Sequence, residues 1–302
     1  PPPPPPPHFQ AEDGIRDRVS CLVGSEMCIR DSKSAVAAAI AIDRARHGRT
    51  VLALDMGAGL GLGAHLRRDR LHYDPVEVRP GLYAMTMDRA TALDEYLKLQ
   101  LRVPQGAPTR QLAGALAVLA DTAPGVREII SIGKPIYETW KGVWDVVIVD
   151  APSLGQFQSY LRAPATIAEL VPTGNVRRQA DDLTRTLADP EVTSVVLVAT
   201  PAELPVRETN ETLEVIATER LCPPPTVVLN RFVESSGIPA SAVAGLPQGS
   251  GRDAATLQVS MEADQEAWAA RMAHTHRLPF LRGVLTPGEV ASQLADSLGA
   301  TP

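Results

Sequence analysis

The feature that most constrains the fold of this chain is a series of short apolar runs separated by stretches of helical periodicity. The runs are nearly continuous in Val, Leu and Ile, which is typical of strands buried on both faces of a parallel sheet. The pattern predicts an α/β protein with a doubly wound, mostly parallel sheet. The predicted strands span residues 51–55, 82–87, 144–150, 194–200, 226–230 and 278–284.

Helical periodicity occupies much of the sequence between these strands. The clearest helices are predicted over residues 34–47, 204–220 and 289–298. The interval from about 88 to 141 is mainly helical and is broken by prolines, so it predicts a helical subdomain inserted into the α/β domain. In a sheet of this kind, ligands bind at the carboxyl ends of the strands.

Overall charge and hydrophobicity limit the classes of partner. The formal net charge of -6 argues against nucleic acid as a main partner. No uninterrupted apolar run approaches the ~20 residues that a membrane-spanning helix needs. The sequence therefore predicts a cytoplasmic protein with no integral membrane segment.

The N-terminal segment differs in character from the rest of the chain. Residues 1–7 are all proline, and residues 11–32 show neither sustained helical nor strand periodicity. This second stretch lacks the pattern of a secretory signal, and it resembles translated sequencing-adapter read-through. We therefore predict that residues 1–32 are non-native or disordered and that the functional domain covers residues 33–302.

The pair Lys33 and Ser34 stands immediately before an alanine-rich helix. In a phosphate-binding loop, backbone N–H groups surround the phosphates, a Lys reaches their oxygens and a Ser or Thr binds Mg²⁺. Ser is also a common residue at the start of any helix. On these residues alone, a nucleotide site and an ordinary helix start both remain open.

Polar residues also end two of the predicted strands. Asp150 ends the strand at 144–150, where a carboxylate can hold a water bound to Mg²⁺, and Gly155 follows close behind. Asn230 ends the strand at 226–230, where an amide can hydrogen-bond the edge of a base. Asp and Asn are also frequent turn residues, so each position taken alone has a structural alternative.

Four segments taken together resemble the ArsA-like, anion-transporting ATPase family. They are WDVVIVDAPSLGQFQSYLRAP, VPTGNVRRQADDL, ATPAELPVRET and VVLNR, and the segment that begins at Lys33 agrees with them. The family belongs to the dimeric P-loop NTPases. The resemblance implies binding of ATP and Mg²⁺ in a homodimer, or in a heterodimer with an ArsA-like paralogue.

The resemblance also implies roles for individual residues. Lys33 matches the P-loop Lys, and Ser34 matches the residue that binds Mg²⁺. Asp150 matches the residue that holds Mg²⁺ through water, Gly155 matches a backbone contact to the nucleotide, and Asn230 matches the contact to adenine.

The chain departs from the family's loop pattern, KGGxGK[ST]. Cys28 stands where the first Lys is expected, and all three glycines are replaced. Residues with side chains at these positions would crowd the phosphates. We therefore expect the first strand and the Gly-rich loop to be missing.

A further departure concerns hydrolysis. Gly57 stands where the family's first switch has its catalytic Asp, and Leu154 stands where the second switch usually has Thr. Asp55 is the candidate catalytic carboxylate, although its position favours a strand-end carboxylate without catalytic function. The leading hypothesis is an ATPase that couples nucleotide state to a conformational change in a dimer. The alternatives are a non-hydrolysing partner subunit of an intact paralogue and a positioning ATPase of the MinD or ParA type.

Overall fold

The computed structural model describes residues 19–24, 30–57, 61–101, 125–272 and 275–299. Within these residues, eight strands form one sheet in the order β3-β4-β2-β5-β1-β6-β7-β8. All neighbouring strands are parallel except β3 and β4. The predicted α/β class with a mostly parallel sheet is therefore confirmed. The strands are β1 (Val19–Gly24), β2 (Val51–Asp55), β3 (Val76–Arg79), β4 (Leu82–Thr86), β5 (Val146–Asp150), β6 (Thr193–Ala199), β7 (Thr226–Phe232) and β8 (Thr275–Pro279).

Helices connect the strands and cover both faces of the sheet. Helices α1, α2 and α10 pack on one face, where Ile42 and Leu294 are almost fully buried. Helices α4 to α7 pack on the other face, around Ile136 and Phe157. The described helices are α1 (Arg30–Arg46), α2 (Gly61–His65), α3 (Arg89–Leu101), α4 (Val126–Trp140), α5 (Leu154–Leu170), α6 (Asn175–Ala188), α7 (Glu203–Glu219), α8 (Ala240–Ala244), α9 (Ser250–Ala269) and α10 (Pro287–Gly299).

The first strand, which was expected to be missing, is present in the structure. Val19–Gly24 forms β1, which lies between β5 and β6 and pairs in parallel with both. A short extended segment suits this position because it supplies backbone partners to two strands at once. The prediction therefore needs correction: the sheet contains a central strand, drawn from the segment set aside as non-native or disordered. Of the positions that match the family's loop pattern, 28 and 29 fall outside the described residues, and 30–34 form the start of α1.

Two edges of the sheet differ from the sequence-based prediction. The last strand covers Thr275–Pro279 and not residues 278–284. Its pairing with β7 ends with the bond that the Phe280 N–H donates to the Phe232 carbonyl at 2.8 Å. The antiparallel strand β3 was not predicted at all. Its four residues, VEVR, are too few to establish a period, and they occupy an edge.

The predicted helical interval at 88–141 contains α3 and α4, while residues 102–124 lie outside the described part of the chain. Ile132 and Ile136 of α4 are buried against the sheet, so this helix belongs to the layer that covers the core. Among the residues that the structure describes, no helix is both long and apolar enough to cross a membrane.

Cys222 is a buried free thiol. Burial raises the pKa of this thiol to about 12, which leaves almost no thiolate at neutral pH. We expect iodoacetamide to modify Cys222 at least about tenfold more slowly in the folded protein than in urea, as measured by mass spectrometry of the peptide that contains it. Equal rates in the two conditions would contradict this burial.

Candidate functional site

The candidate site lies at the carboxyl edge of the sheet, where α1 begins beside β5. Lys33 and Ser34 are the fourth and fifth residues of α1, and Asp150 is the last residue of β5. Strand β5 is the direct neighbour of β1, the strand that precedes α1 in the chain. This connection brings the start of α1 over the end of β5, and it explains why residues 116 positions apart can meet.

The three side chains form a compact hydrogen-bonded set. The Lys33 ammonium lies 2.7 Å from Asp150 Oδ1, and the Ser34 hydroxyl donates to Asp150 Oδ2 at 2.6 Å. Lys33 Nζ also donates to the carbonyl oxygen of Ala151. The side chains of Lys33 and Asp150 are only 14% and 3% exposed. A cation, a hydroxyl and a carboxylate are thus held together in a site that excludes most water.

Asp55 supplies a second carboxylate next to Asp150. The two residues are register partners at the ends of the neighbouring strands β2 and β5. Asp55 Oδ1 accepts a hydrogen bond from the Gly57 N–H at 2.6 Å, and Oδ2 accepts one from the Leu62 N–H at 3.4 Å. The first bond is an Asx-type turn, in which an Asp side chain closes its own loop. The carboxylate is therefore engaged with the loop that follows β2.

The environment of Asp55 disfavours its charged form. Burial raises the pKa of Asp55, and the negative charge of Asp150 raises it further, while the Gly57 N–H and Lys33 oppose these effects. Because the pKa of Asp55 is higher in the folded state, the protein takes up a proton on folding at pH values between 3.8 and that higher pKa. Wild-type stability therefore falls as the pH rises through this window.

We expect Asp55→Asn to remove this pH dependence, because an Asn carries no charge at any pH. The stability of the variant relative to wild type should increase from pH 4.5 to pH 7.5, as measured by urea unfolding at both pH values. An equal stability difference at the two pH values would show that Asp55 titrates normally.

Two glycines after β2 shape the site. An added Cβ at Gly61, the first residue of α2, would lie 2.7 Å from Ser34 Oγ, so the absence of a side chain lets α2 approach α1. An added Cβ at Gly57 would lie 3.0 Å from Asp55 Oδ1. Gly61 was not identified from the sequence, and the only signal was the run of glycines in MGAGLGLGA.

The second-switch candidates start helix α5. Leu154 is 4% exposed and packs in the hydrophobic core with Val149 and Phe157. Gly155 is exposed, and an added Cβ there would meet no atom within 4 Å. Packing therefore does not require a glycine at position 155. The Leu154 side chain is part of the hydrophobic core.

Asn230 lies at the same edge of the sheet but apart from the other candidates. It is near the end of β7 and is 3% exposed. Three strand spacings separate β7 from β5, which corresponds to about 14 Å. The structure thus brings Lys33, Ser34, Asp55 and Asp150 together and leaves Asn230 at a distance.

The residues present fit a phosphate group and Mg²⁺. Hydroxyl and carboxylate oxygens are the ligands that Mg²⁺ prefers, and Ser34 and Asp150 supply them side by side. Ser32, one residue before Lys33, is 2% exposed, and its hydroxyl has no hydrogen-bond partner among the described residues. An unpaired polar atom in a buried position needs a partner, which a phosphate oxygen would provide.

Comparisons with known proteins find a family match that includes the segment from Lys33 to Asp150. The profile of a family described as anion-transporting ATPases matches residues 32–177. The chain is 29% identical over 213 residues to "ATPase BagA" of Mycobacterium tuberculosis, covering 67% of this chain and 62% of that protein. It has the same identity and coverage with "Putative ATPase Mb3704" of Mycobacterium bovis. The match thus spans less than two thirds of the length of these relatives.

Proposed function

We propose that the protein binds ATP with Mg²⁺ at Lys33, Ser34 and Asp150, a function supported by the match of residues 32–177 to the family described as anion-transporting ATPases. In the same proposal, a dimer, either a homodimer or a heterodimer with an ArsA-like paralogue, couples the state of the nucleotide to a change in conformation. The observation that carries the proposal is the buried contact of Lys33 and Ser34 with Asp150. These three side chains join the start of the first helix to the end of a core strand.

Each side chain has a defined task in this proposal. Lys33 exchanges its contact with Asp150 for one with phosphate oxygens, whose charge it neutralises. Ser34 and, through water, Asp150 hold Mg²⁺, which supplies neutralisation of the β- and γ-phosphate charges. Gly155 offers a backbone N–H at the start of α5, and Asn230 binds the adenine edge.

Backbone hydrogen bonds support a coupling between the site and the helices. The Asp55 carbonyl accepts a bond from the Met87 N–H at 2.7 Å, and the Met56 N–H donates to the Asp150 carbonyl at 3.1 Å. Met87 directly precedes the region where α3 begins, at Arg89. A shift of the loop after β2 is therefore transmitted to the start of α3.

A second function, a partner subunit that binds nucleotide without hydrolysing it, is favoured by one observation. Asp55 is the register partner of Asp150 on the neighbouring strand. Its carboxylate accepts hydrogen bonds from the N–H groups of Gly57 and Leu62. Gly57 and Leu154 carry no group that can orient water or accept a proton. In this alternative, hydrolysis requires an intact paralogue.

The test uses a loop-restored variant, defined as Cys28→Lys, Ile29→Gly, Arg30→Gly and Ser32→Gly in the full chain. We expect this variant to bind ATP in the presence of Mg²⁺, because backbone N–H groups can then approach the phosphates without side chains between them. Phosphate release by the variant alone supports an ATPase. Phosphate release only after addition of a paralogue supports the partner-subunit function, and absence of ATP binding contradicts both.

A further inference from the structure

Three arginines from separate elements lie along one side of helix α10. Arg46 is the last residue of α1, Arg67 follows α2, and Arg79 is the last residue of β3. We call these three residues the arginine cluster. They contact α10 on the outside of the helical layer, and the site formed by Lys33 and Asp150 does not include them.

Each member of the cluster meets a different position of α10. The Arg46 guanidinium pairs with Asp296 at 2.6 Å, and Arg79 Nη2 lies 3.4 Å from the Ser292 hydroxyl. The Arg67 side chain lies so close to position 288 that a Cβ added to the glycine there would be 2.5 Å from its Cγ.

Positions 288, 292 and 296 are four residues apart and therefore lie on one stripe of the helix. With a rise of 1.5 Å per residue, successive contacts are about 6 Å apart.

The positive charge of the cluster is only partly neutralised. Asp296 neutralises Arg46, but Arg67 and Arg79 form no ion pair within the described part of the chain. Glu289, the acidic residue near Arg67, accepts hydrogen bonds from both the N–H and the hydroxyl of Thr286 and so caps its own helix. Two guanidinium groups thus remain without a carboxylate, although the chain as a whole carries a net charge of -6.

The arginines also act on one another electrostatically. Burial lowers the pKa of Arg79, and the like charges of Arg67 and Arg46 lower it further. Holding like charges together without an anion costs stability, which a bound anion would recover.

We propose that Arg67 and Arg79 bind a phosphate group, with Arg46 adding to the positive field. The planar guanidinium fork matches the oxygens of a phosphate and binds it in a bidentate manner. Contacts about 6 Å apart on the helix leave room for one tetrahedral anion between two such forks. The phosphate group belongs either to a dissolved phosphomonoester or to the headgroup of a lipid.

The first experiment measures binding of inorganic phosphate and glycerol phosphate to the full chain by calorimetry, with chloride at matched ionic strength as the reference. Arg67→Gln and Arg79→Gln are expected to weaken binding about tenfold or more, because each removes charge-assisted hydrogen bonds. The control is Arg207→Gln, which removes an exposed arginine of α7 that pairs only loosely with Glu203, at 3.9 Å. We expect this control to bind phosphate as wild type does.

The second experiment distinguishes a lipid source of the phosphate group. Sedimentation with vesicles of phosphatidylcholine and phosphatidic acid, in the absence of binding to dissolved phosphate, would assign the site to a lipid headgroup. Loss of sedimentation in Arg79→Gln would confirm that the cluster is responsible.

The free protein provides a further readout. Without anion, Arg79→Gln should unfold at the same temperature as wild type or a higher one, because it relieves the repulsion within the cluster. In the presence of phosphate, wild type should unfold at a higher temperature than Arg79→Gln. Phosphate binding unchanged in both glutamine variants, or no binding to phosphate and vesicles alike, would overturn the proposal. Neither result depends on ATP binding at Lys33.

Discussion

Replacing Lys33 with alanine in the loop-restored variant is expected to weaken the binding of ATP with Mg²⁺ by at least about 100-fold. Lys33 is the only cation that contacts Asp150 among the described residues, at 2.7 Å, and it is 14% exposed. In the proposed complex Lys33 donates charge-assisted hydrogen bonds to phosphate oxygens, and loss of about 3 kcal/mol of this interaction corresponds to about a 100-fold weaker affinity. Calorimetric titration of ATP in the presence of Mg²⁺ measures the effect.

Two further variants separate binding from folding. Lys33→Ala leaves the Asp150 carboxylate without its cation, so the combination of Lys33→Ala and Asp150→Asn removes both charges and should fold more stably than Lys33→Ala alone. This double variant should still fail to bind ATP. Arg207→Ala is the control, since Arg207 is 64% exposed and pairs with the exposed Glu203 on α7, away from Asp150. Wild-type affinity in the double variant would remove Lys33 from the site.

The second large effect concerns stability and involves Lys134. This lysine of α4 is 6% exposed and makes two ion pairs, with Glu95 of α3 at 2.6 Å and with Glu138 at 2.7 Å. Glu138 is 2% exposed and also accepts hydrogen bonds from Lys141 and Trp144. Burial by itself raises the pKa of Glu138, but the hydrogen bonds from its neighbours outweigh burial and lower the pKa, so the carboxylate is charged at neutral pH.

Lys134→Ala is therefore expected to lower the free energy of unfolding by about 3–5 kcal/mol, because it leaves a buried carboxylate with one cation fewer. Arg207→Ala, which breaks an exposed pair with Glu203 four residues apart on α7, should cost only about 0.5 kcal/mol or less. Urea unfolding followed by circular dichroism measures both variants. Equal losses in the two variants would contradict the assignment of Lys134 to a buried network.

The extent to which the site could be predicted from the sequence depends on the range of the interactions. Asp150 could be expected at the carboxyl edge because it ends the apolar run of its strand. Lys33 could be expected there only through the family resemblance, because the strand before its helix was not predicted. The edge itself then brings the two residues together. Topology alone accounts for this part of the site.

Other features depend on side chains from distant parts of the chain, which no local pattern encodes. Gly61 approaches Ser34 only because α2 folds back over α1, and Lys134 meets Glu95 only because α3 and α4 pack together. The central strand was missed for a different reason. Val19–Gly24 is a short apolar segment within a stretch that has no sustained period, and its role comes from the gap between β5 and β6 that it fills.

The most direct test of the central claim is a calorimetric titration of ATP into the loop-restored variant, with Mg²⁺ and again with EDTA. If Lys33, Ser34 and Asp150 form a nucleotide site, ATP should bind with a Kd below about 1 mM in Mg²⁺ and clearly more weakly in EDTA. Absence of binding in both conditions, in a variant that unfolds as cooperatively as the original chain, would contradict the account.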